Sequence, residues 1–170
     1  MMDRIWAPWR TQYLSKMGKP EKGCLFCRLK RSRSDKKNYV FARREHCYAV
    51  LNLYPYNNGH ALIVPYRHTG DLRKLSSAET GEMFALLNDV QNDLDRVLHP
   101  DGYNVGMNMG KAAGAGVPKH IHMHIVPRWV GDVNFMPSVG STKVISQSLD
   151  DLYRALTEPG EKSGRKRKKG

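Results

Sequence analysis

The chain has 170 residues, 40% of them hydrophobic, and a formal net charge of +12. That length suits one domain with a core that needs no covalent staples. Three cysteines exclude a disulfide scaffold, and no apolar run approaches the roughly 20 residues of a membrane span. Trp6, Pro8, Trp9 and Arg10 stand where a secretory leader would need an apolar stretch, so the chain reads as a cytoplasmic protein that does not enter the membrane.

In chain order, residues 1–20 read as an irregular arm anchored by Ile5, Trp6 and Trp9. Residues 21–158 follow as one domain, and 159–170 as a disordered basic tail. Tyr39–Arg43 and His46–Asn52 are β-prone runs split by Arg44-Glu45, a predicted hairpin. His60–Pro65 is an apolar strand stopped by Pro65. Ser76–Leu98 is the clearest helix: Ser76-Ser77-Ala78-Glu79 is a capping box, and Met83, Phe84, Leu87, Val90, Leu94 and Val97 follow at helical spacing. Tyr103–Met109 reads as a strand, Gly110–Gly116 as a glycine- and alanine-rich loop, Lys119–Arg128 as a strand and Ser148–Leu156 as a short helix. Strands joined by turns around one long helix predict an α+β fold with an antiparallel sheet.

The charge is uneven. In the tail, six lysines and arginines against Glu161 give +5, with no aromatic or aliphatic residue among them. A second basic cluster runs through Arg28, Lys30, Arg31, Arg33, Lys36 and Lys37. Such excess suits polyphosphate ligands or nucleic acid, and a solubilising tail reads equally well.

Three of the seven histidines fall in Lys119-His120-Ile121-His122-Met123-His124-Ile125-Val126-Pro127-Arg128. In a strand this alternation sets the imidazoles on one face and Ile121, Met123 and Ile125 on the other. Imidazole titrates near neutrality, so such a row can bind metal, accept a proton or attack phosphorus. Cys24-Leu25-Phe26-Cys27 is a separate motif. A C-x-x-C is a redox pair, half a zinc site or two reduced thiols. The bulky Leu25-Phe26 interior resembles a zinc knuckle more than a thioredoxin turn. Cys47, inside a strand, reads as a small core residue.

The run His120-Ile121-His122-Met123-His124-Ile125-Val126 resembles the signature of the histidine-triad (HIT) family of nucleotide hydrolases and transferases. Asn52-Leu53-Tyr54-Pro55-Tyr56-Asn57-Asn58-Gly59-His60-Ala61-Leu62-Ile63-Val64-Pro65-Tyr66-Arg67-His68 resembles its upstream segment. Together they extend the resemblance over about residues 24–136. The opening Arg4–Arg10 and the closing Arg128–Met136 resemble the bacterial branch that includes diadenosine tetraphosphate phosphorylases.

The resemblance implies a role for each motif. His122 becomes the nucleophile that forms a nucleotidyl-histidine, and His124 meets the leaving oxygen or the transferred phosphate. Cys24, Cys27, His68 and His120 become a structural zinc site, with no organic cofactor. Asn52 takes the ribose, although an Asn ending a strand in a turn explains it too. Asn108 and the loop glycines Gly114 and Gly116 contact phosphate, and His60 supports the triad. The expected substrates are diadenosine polyphosphates, and the expected assembly is a homodimer. A nucleoside phosphoramidate hydrolase and a non-catalytic nucleotide- or nucleic-acid-binding module are the alternatives, the last using the basic tail as its partner surface. The chain departs from many relatives before the triad. Ala115-Gly116-Val117-Pro118-Lys119 stands where they carry Gln and Ser or Thr, so side-chain phosphate contacts there are lost or replaced by backbone.

Overall fold

The computed structural model describes residues 23–132 and 145–158. The N-terminal arm, the motif residues beyond Asp132 and the basic tail lie outside the described residues. Helix α1 (Leu25–Arg31) and the short helix α2 (Asp35–Asn38) lead into strands β1 (Val40–Arg43), β2 (Cys47–Leu51) and β3 (Ala61–Pro65). Helix α3 (Ser77–Leu98), strands β4 (Gly102–Met107) and β5 (Met123–Arg128), and helix α4 (Leu149–Thr157) complete it. The five strands form one sheet in the order β1-β2-β3-β5-β4, antiparallel at every pairing. This is the α+β architecture expected from the sequence.

Strands β2 and β3 are buried at every position. Their residues alternate between two cores, as the period of two requires. Cys47, Ala49, Leu51, Ala61, Ile63, Met123 and Ile125 point to one face, where α3 and α4 supply Met83, Leu86, Val90, Leu94, Leu152 and Leu156. Tyr48, Val50, Leu62 and Val64 point to the other, against Phe26 and Leu29 of α1. A sheet covered on both faces reads as continuous apolar runs, as β2 and β3 do. The α1 face is also the face of the histidines. Leu62 pairs with His124, and Ile63 with Met123.

Helix α3 starts with both halves of the capping box: Ser76 Oγ accepts from Glu79 N–H at 3.2 Å, and Glu79 Oε2 accepts from Ser76 N–H at 2.8 Å. Its buried stripe differs from expectation at one position. Phe84 is 51% exposed, while Leu86 is 1% exposed. With 3.6 residues per turn, Leu86 shares the Met83–Val90 face and Phe84 is rotated off it by about 100°. Leu149–Thr157 begins at a capping Ser148, whose Oγ accepts from Asp151 N–H at 3.1 Å.

Two differences bear on the site. The C-x-x-C opens a helix and not an isolated knuckle: Cys24 is the N-cap of α1, and Arg28 N–H donates to Cys24 O at 3.1 Å. The triad strand begins at Met123, so His120 and His122 precede it. The segment ahead of it is held by other means. Ile121 N–H donates to Thr69 O at 2.6 Å, and a Cβ on Gly70 would lie 2.4 Å from Pro118 O. Only glycine lets the two backbones approach so closely.

Candidate active site and metal cluster

His120, His122 and His124 do three different things. The His120 ring turns into a cluster with Cys24, Cys27 and His68, whose ligand atoms all lie within 4.8 Å of one another. Within it, Cys24 Sγ is 3.3 Å and Cys27 Sγ 3.7 Å from His120 Nδ1, Cys27 Sγ is 3.3 Å from His68 Nδ1, and the two Nδ1 atoms are 3.2 Å apart. His120 Nε2 lies 2.9 Å from Pro65 O. A carbonyl can only accept, so Nε2 carries the proton and Nδ1 presents a bare lone pair to the cluster. A tetrahedron with metal–sulfur bonds of about 2.3 Å and metal–nitrogen bonds of about 2.0–2.1 Å has edges of about 3.3–3.8 Å, close to the four distances within the cluster. Burial, and then the neighbouring Cys24, push the Cys27 thiol up. Two thiols and two inward imidazole nitrogens thus form a donor set that fits a soft divalent cation.

The His122 ring is buried and lines a cavity on the α1 face. Its Nδ1 lies 2.9 Å from the carbonyl oxygen of His120. By the same rule Nδ1 carries the proton, and Nε2 keeps its lone pair. Burial lowers the pKa of His122, which holds the ring neutral. A neutral imidazole with one nitrogen anchored and the other bare is a competent nucleophile toward phosphorus.

His124 belongs to a second chain of hydrogen bonds. Tyr56 N–H donates to His60 Nδ1 at 3.0 Å, so the proton of His60 sits on Nε2, 2.9 Å from His124 Nδ1. His124 Nδ1 therefore accepts, and its own proton is on Nε2. That atom is buried with no hydrogen-bond partner among the described residues. Burial pushes His60 down to about 3 and His124 to about 4, with the neighbouring imidazoles adding to both shifts. Both rings are neutral at pH 7, and His124 holds out an unused N–H donor beside His122, ring centroids 5.0 Å apart. His60 reaches its place through Gly59, where φ is +77° and a Cβ would lie 2.5 Å from Leu98 Cδ1. Any side chain there clashes as well as straining the backbone.

The cavity is lined by α1 and α2 residues Phe26, Arg28, Leu29, Lys37 and Asn38, by Val50, Asn52, Leu53 and Leu62, and by Asn108, Gly114, Gly116 and Val117 beside His122 and His124. Asn52 ends its strand in a turn and also lines the cavity. Its Oδ1 accepts from Tyr54 N–H at 3.0 Å, as a turn-forming Asn does, while its Nδ2 stands 3.3 Å from His60 Nδ1 at the cavity wall. The glycine loop behaves differently from a simple phosphate cradle. Gly114 N–H donates to Lys111 O at 3.0 Å and Ala115 N–H to Gly110 O at 3.3 Å, so the loop's own turns use these two amides. Lys119 lies in a turn outside this cavity, as does the cation beside it, Arg67, which is paired to Glu79 at 2.8 Å.

Two residues of the site escaped sequence reasoning. Phe26 was only the interior of the C-x-x-C, yet its ring packs on His122 with centroids 4.8 Å apart. Tyr56 stands in the upstream HIT-like segment with no role of its own, yet its ring lies 4.7 Å from His60 and stacks at 6.0 Å on His124. The helical spacing of Leu25, Phe26 and Leu29 was the available signal for the first. For the second there was none, because it depends on how the turn folds back.

A sheet with one long helix on one face and two neutral histidines, His122 and His124, at a cavity on the other defines an α+β protein with a site suited to nucleophilic chemistry. The HIT domain matches residues 33–130, and the chain belongs to that family. The matched span begins after Cys24 and Cys27. The chain is 39% identical over 162 residues to the AP-4-A phosphorylase of Mycobacterium tuberculosis, covering 91% of this chain and 83% of that one. It is 36% identical over 93 residues to the asymmetrical bis(5'-nucleosyl)-tetraphosphatase of Schizosaccharomyces pombe, covering 55% of this chain and 50% of that one. Among solved structures, a zinc-bound histidine triad family protein from Mycobacterium smegmatis aligns with a TM-score of 0.63 at 28% identity, over 79% of this chain and 91% of that chain.

Proposed function

We propose that this chain is a HIT-family nucleotidyl hydrolase or transferase that cleaves the phosphoanhydride of diadenosine polyphosphates, through a nucleotidyl intermediate on His122. The observation that carries the reading is the pairing of His122 Nδ1 with His120 O at 2.9 Å in a ring that lines the cavity. The similarity to a phosphorylase and a tetraphosphatase supports the substrate class.

In the first step the lone pair of His122 Nε2 attacks the α-phosphorus. The N–P bond forms, the P–O bond to the leaving nucleotide breaks, and that oxygen departs with the electron pair. The imidazole keeps its Nδ1 proton and becomes cationic, held by the His120 carbonyl. His124 Nε2–H donates to the leaving or bridging oxygen. In the second step phosphate, or water that releases a proton to solvent, attacks the same phosphorus, and His122 Nε2 leaves with its electrons. Asn52 is assigned to the ribose. Asn108 and the backbone at Gly116 are assigned to the phosphates, Gly114 shaping the loop whose turn takes its amide, and the apolar lining by Leu29, Val50 and Leu62 to the base.

Cys24, Cys27, His68 and His120 are assigned to structural zinc, an ion that would cross-link α1 to the segments bearing His68 and His120 and take no part in bond making. The same reading takes the working unit as a homodimer, supported by the edge strand β4, where Asn104, Val105 and Gly106 are exposed. It takes the location as cytoplasmic, supported by three free thiols. No helix among the described residues is long and apolar enough to cross a membrane. The domain assignment keeps a 1–20 arm, a 21–158 HIT domain and a 159–170 basic tail, with the tail offered to nucleic acid.

The test is a substrate panel with and without inorganic phosphate, products separated by ion exchange. Diadenosine tetraphosphate giving ATP plus ADP only when phosphate is present identifies a phosphorylase, and ATP plus AMP without it identifies a hydrolase. Cleavage of adenosine phosphoramidate alone would move the chain to the phosphoramidate hydrolases. Nucleotide binding without turnover of any substrate would overturn the enzymatic reading.

A further inference from the structure

We propose that Phe26 is a positioning residue for His122: its ring, carried on the first turn of α1 between Cys24 and Cys27 in the chain, fixes the plane of the imidazole that attacks phosphorus. The inference rests on the assignment of His122 as nucleophile and adds the residue that aims it.

Phe26 is fixed from three sides. It stands in the first turn of α1, between the N-cap Cys24 and Cys27, both members of the cluster. Its carbonyl accepts from Tyr48 Oη at 2.9 Å, tying the start of the helix to β2. The residue is 3% exposed. From this place its ring meets His120 edge-on, centroids 5.4 Å apart at 71°, and meets His122 at 4.8 Å and 50°.

The imidazole of His122 needs such a neighbour. The ring hangs from Cβ, and the bond from Nδ1–H to the His120 carbonyl limits its rotation about Cβ–Cγ only to the breadth that a single hydrogen bond allows. His124 flanks the ring at 5.0 Å, and Phe26 is the aromatic side chain of α1 packed against it. In-line attack tolerates little misalignment, so a pivoting ring spends most of its time unreactive.

The aromatic ring offers a second effect that a merely apolar wall would not. When Nε2 bonds to phosphorus and the P–O electrons leave with the nucleotide, the imidazole retains its Nδ1 proton and carries a positive charge. A cation within about 6 Å of a phenyl ring is attracted by the ring quadrupole. That attraction is absent for the neutral ring of the free enzyme and grows as the charge forms, so it lowers the barrier and does not merely tighten binding.

Phe26 also lines the cavity, and the two roles separate kinetically. A wall for the base alone would show in KM, whereas a residue that aims the nucleophile shows in kcat. The test compares wild type, Phe26→Leu and Phe26→Tyr as full-length protein with its metal. Turnover of diadenosine tetraphosphate, the rate at which quenched samples accumulate nucleotidyl-His122, metal per chain and the histidine 15N spectrum are read together. Phe26→Leu should lower kcat and adduct formation by about 10-fold or more, with KM within about 3-fold. Metal content should be unchanged, and the His122 15N signals should move toward a mixture of ring states. Phe26→Tyr, which keeps the ring, should retain wild-type kcat. If Phe26→Leu does not fold, Phe26→Met takes its place. A raised KM with unchanged kcat and unchanged adduct rate would overturn the proposal and leave Phe26 as a wall of the base site. A wild type that turns over without any adduct on His122 would instead overturn the nucleophile assignment, and the positioning role with it.

Discussion

His60 Nε2 lies 2.9 Å from His124 Nδ1, and this one contact decides which nitrogen of His124 holds a proton. Because Tyr56 N–H occupies His60 Nδ1, the order of donors is set from the backbone outward and ends in the Nε2–H of His124, which has no partner among the described residues. The structure thus presents a donor beside His122, the proposed nucleophile, without any charged group. His60→Ala should leave His124 free to adopt either tautomer. The expected loss is about 10- to 100-fold in kcat with KM little changed, in the range of a misplaced proton donor. Steady-state kinetics of that variant against wild type checks it, and an unchanged kcat would remove His60 from the mechanism.

The same two rings predict an acid-sensitive fold. Their ordinary pKa is 6.5, and in the native protein burial holds His60 to about 3 and His124 to about 4. Above pH 6.5 both states are neutral and the rings contribute no pH dependence. As the pH falls from 6.5 toward 4 the unfolded chain binds protons that the native rings refuse, so stability falls, by up to about 1.4 kcal/mol per pH unit for each ring. Denaturant midpoints measured between pH 7 and pH 4 should decline over that window. Substituting His60 by Phe should flatten the slope, and an identical slope in that variant would contradict the assignment.

Removing the metal is the third test. The cluster joins Cys24 and Cys27 at the start of α1 to His68 beyond β3 and His120 ahead of β5. A structural zinc site of this kind contributes on the order of 10 kcal/mol of apparent binding free energy at neutral pH. Protein purified without chelator should carry close to one zinc per chain by elemental analysis. Strong chelation and Cys24→Ser should each lower the melting temperature. Metal-free protein of unchanged stability would contradict the site.

The basic tail is expected to be dispensable for catalysis. Its charge lies in Lys162–Lys169, and charges more than a Debye length of about 8 Å from the site are screened at physiological salt. Truncation after Pro159 should change turnover of diadenosine tetraphosphate by less than about 3-fold. Any affinity for nucleic acid should fall with the truncation, and steeply with salt. A folded truncation that loses turnover would place the tail at the active site.

Much of this architecture was legible because it is periodic. The continuous apolar runs of β2 and β3, the alternation at β5 and the capping box at Ser76 depend on neighbours in sequence, so the strands and α3 fell within a few residues of their observed bounds. The four metal-cluster residues and the triad were legible as chemistry, since few roles suit a C-x-x-C and three alternating histidines. What escaped was set by tertiary contact. Phe84 satisfies a rough helical spacing but sits just off the stripe that the sheet covers. The three histidines share a polar alternation, yet His120 turns away into the cluster, because the chain at 120–122 is held by Thr69 and Gly70 and not by strand pairing. The loop at Gly114 spends its amides on itself, which no composition reveals.

The central claim is that His122 becomes covalently nucleotidylated, and trapping that species tests it most directly. Wild-type protein mixed with diadenosine tetraphosphate and quenched during turnover should yield, by peptide mass spectrometry, an adenylyl group on His122 and on no other histidine. His122→Ala should fold normally, show no adduct and lose at least about 10³-fold in turnover, on the order of 4 kcal/mol of barrier. Substantial turnover by His122→Ala, or an adduct on His124 in its place, would contradict the account.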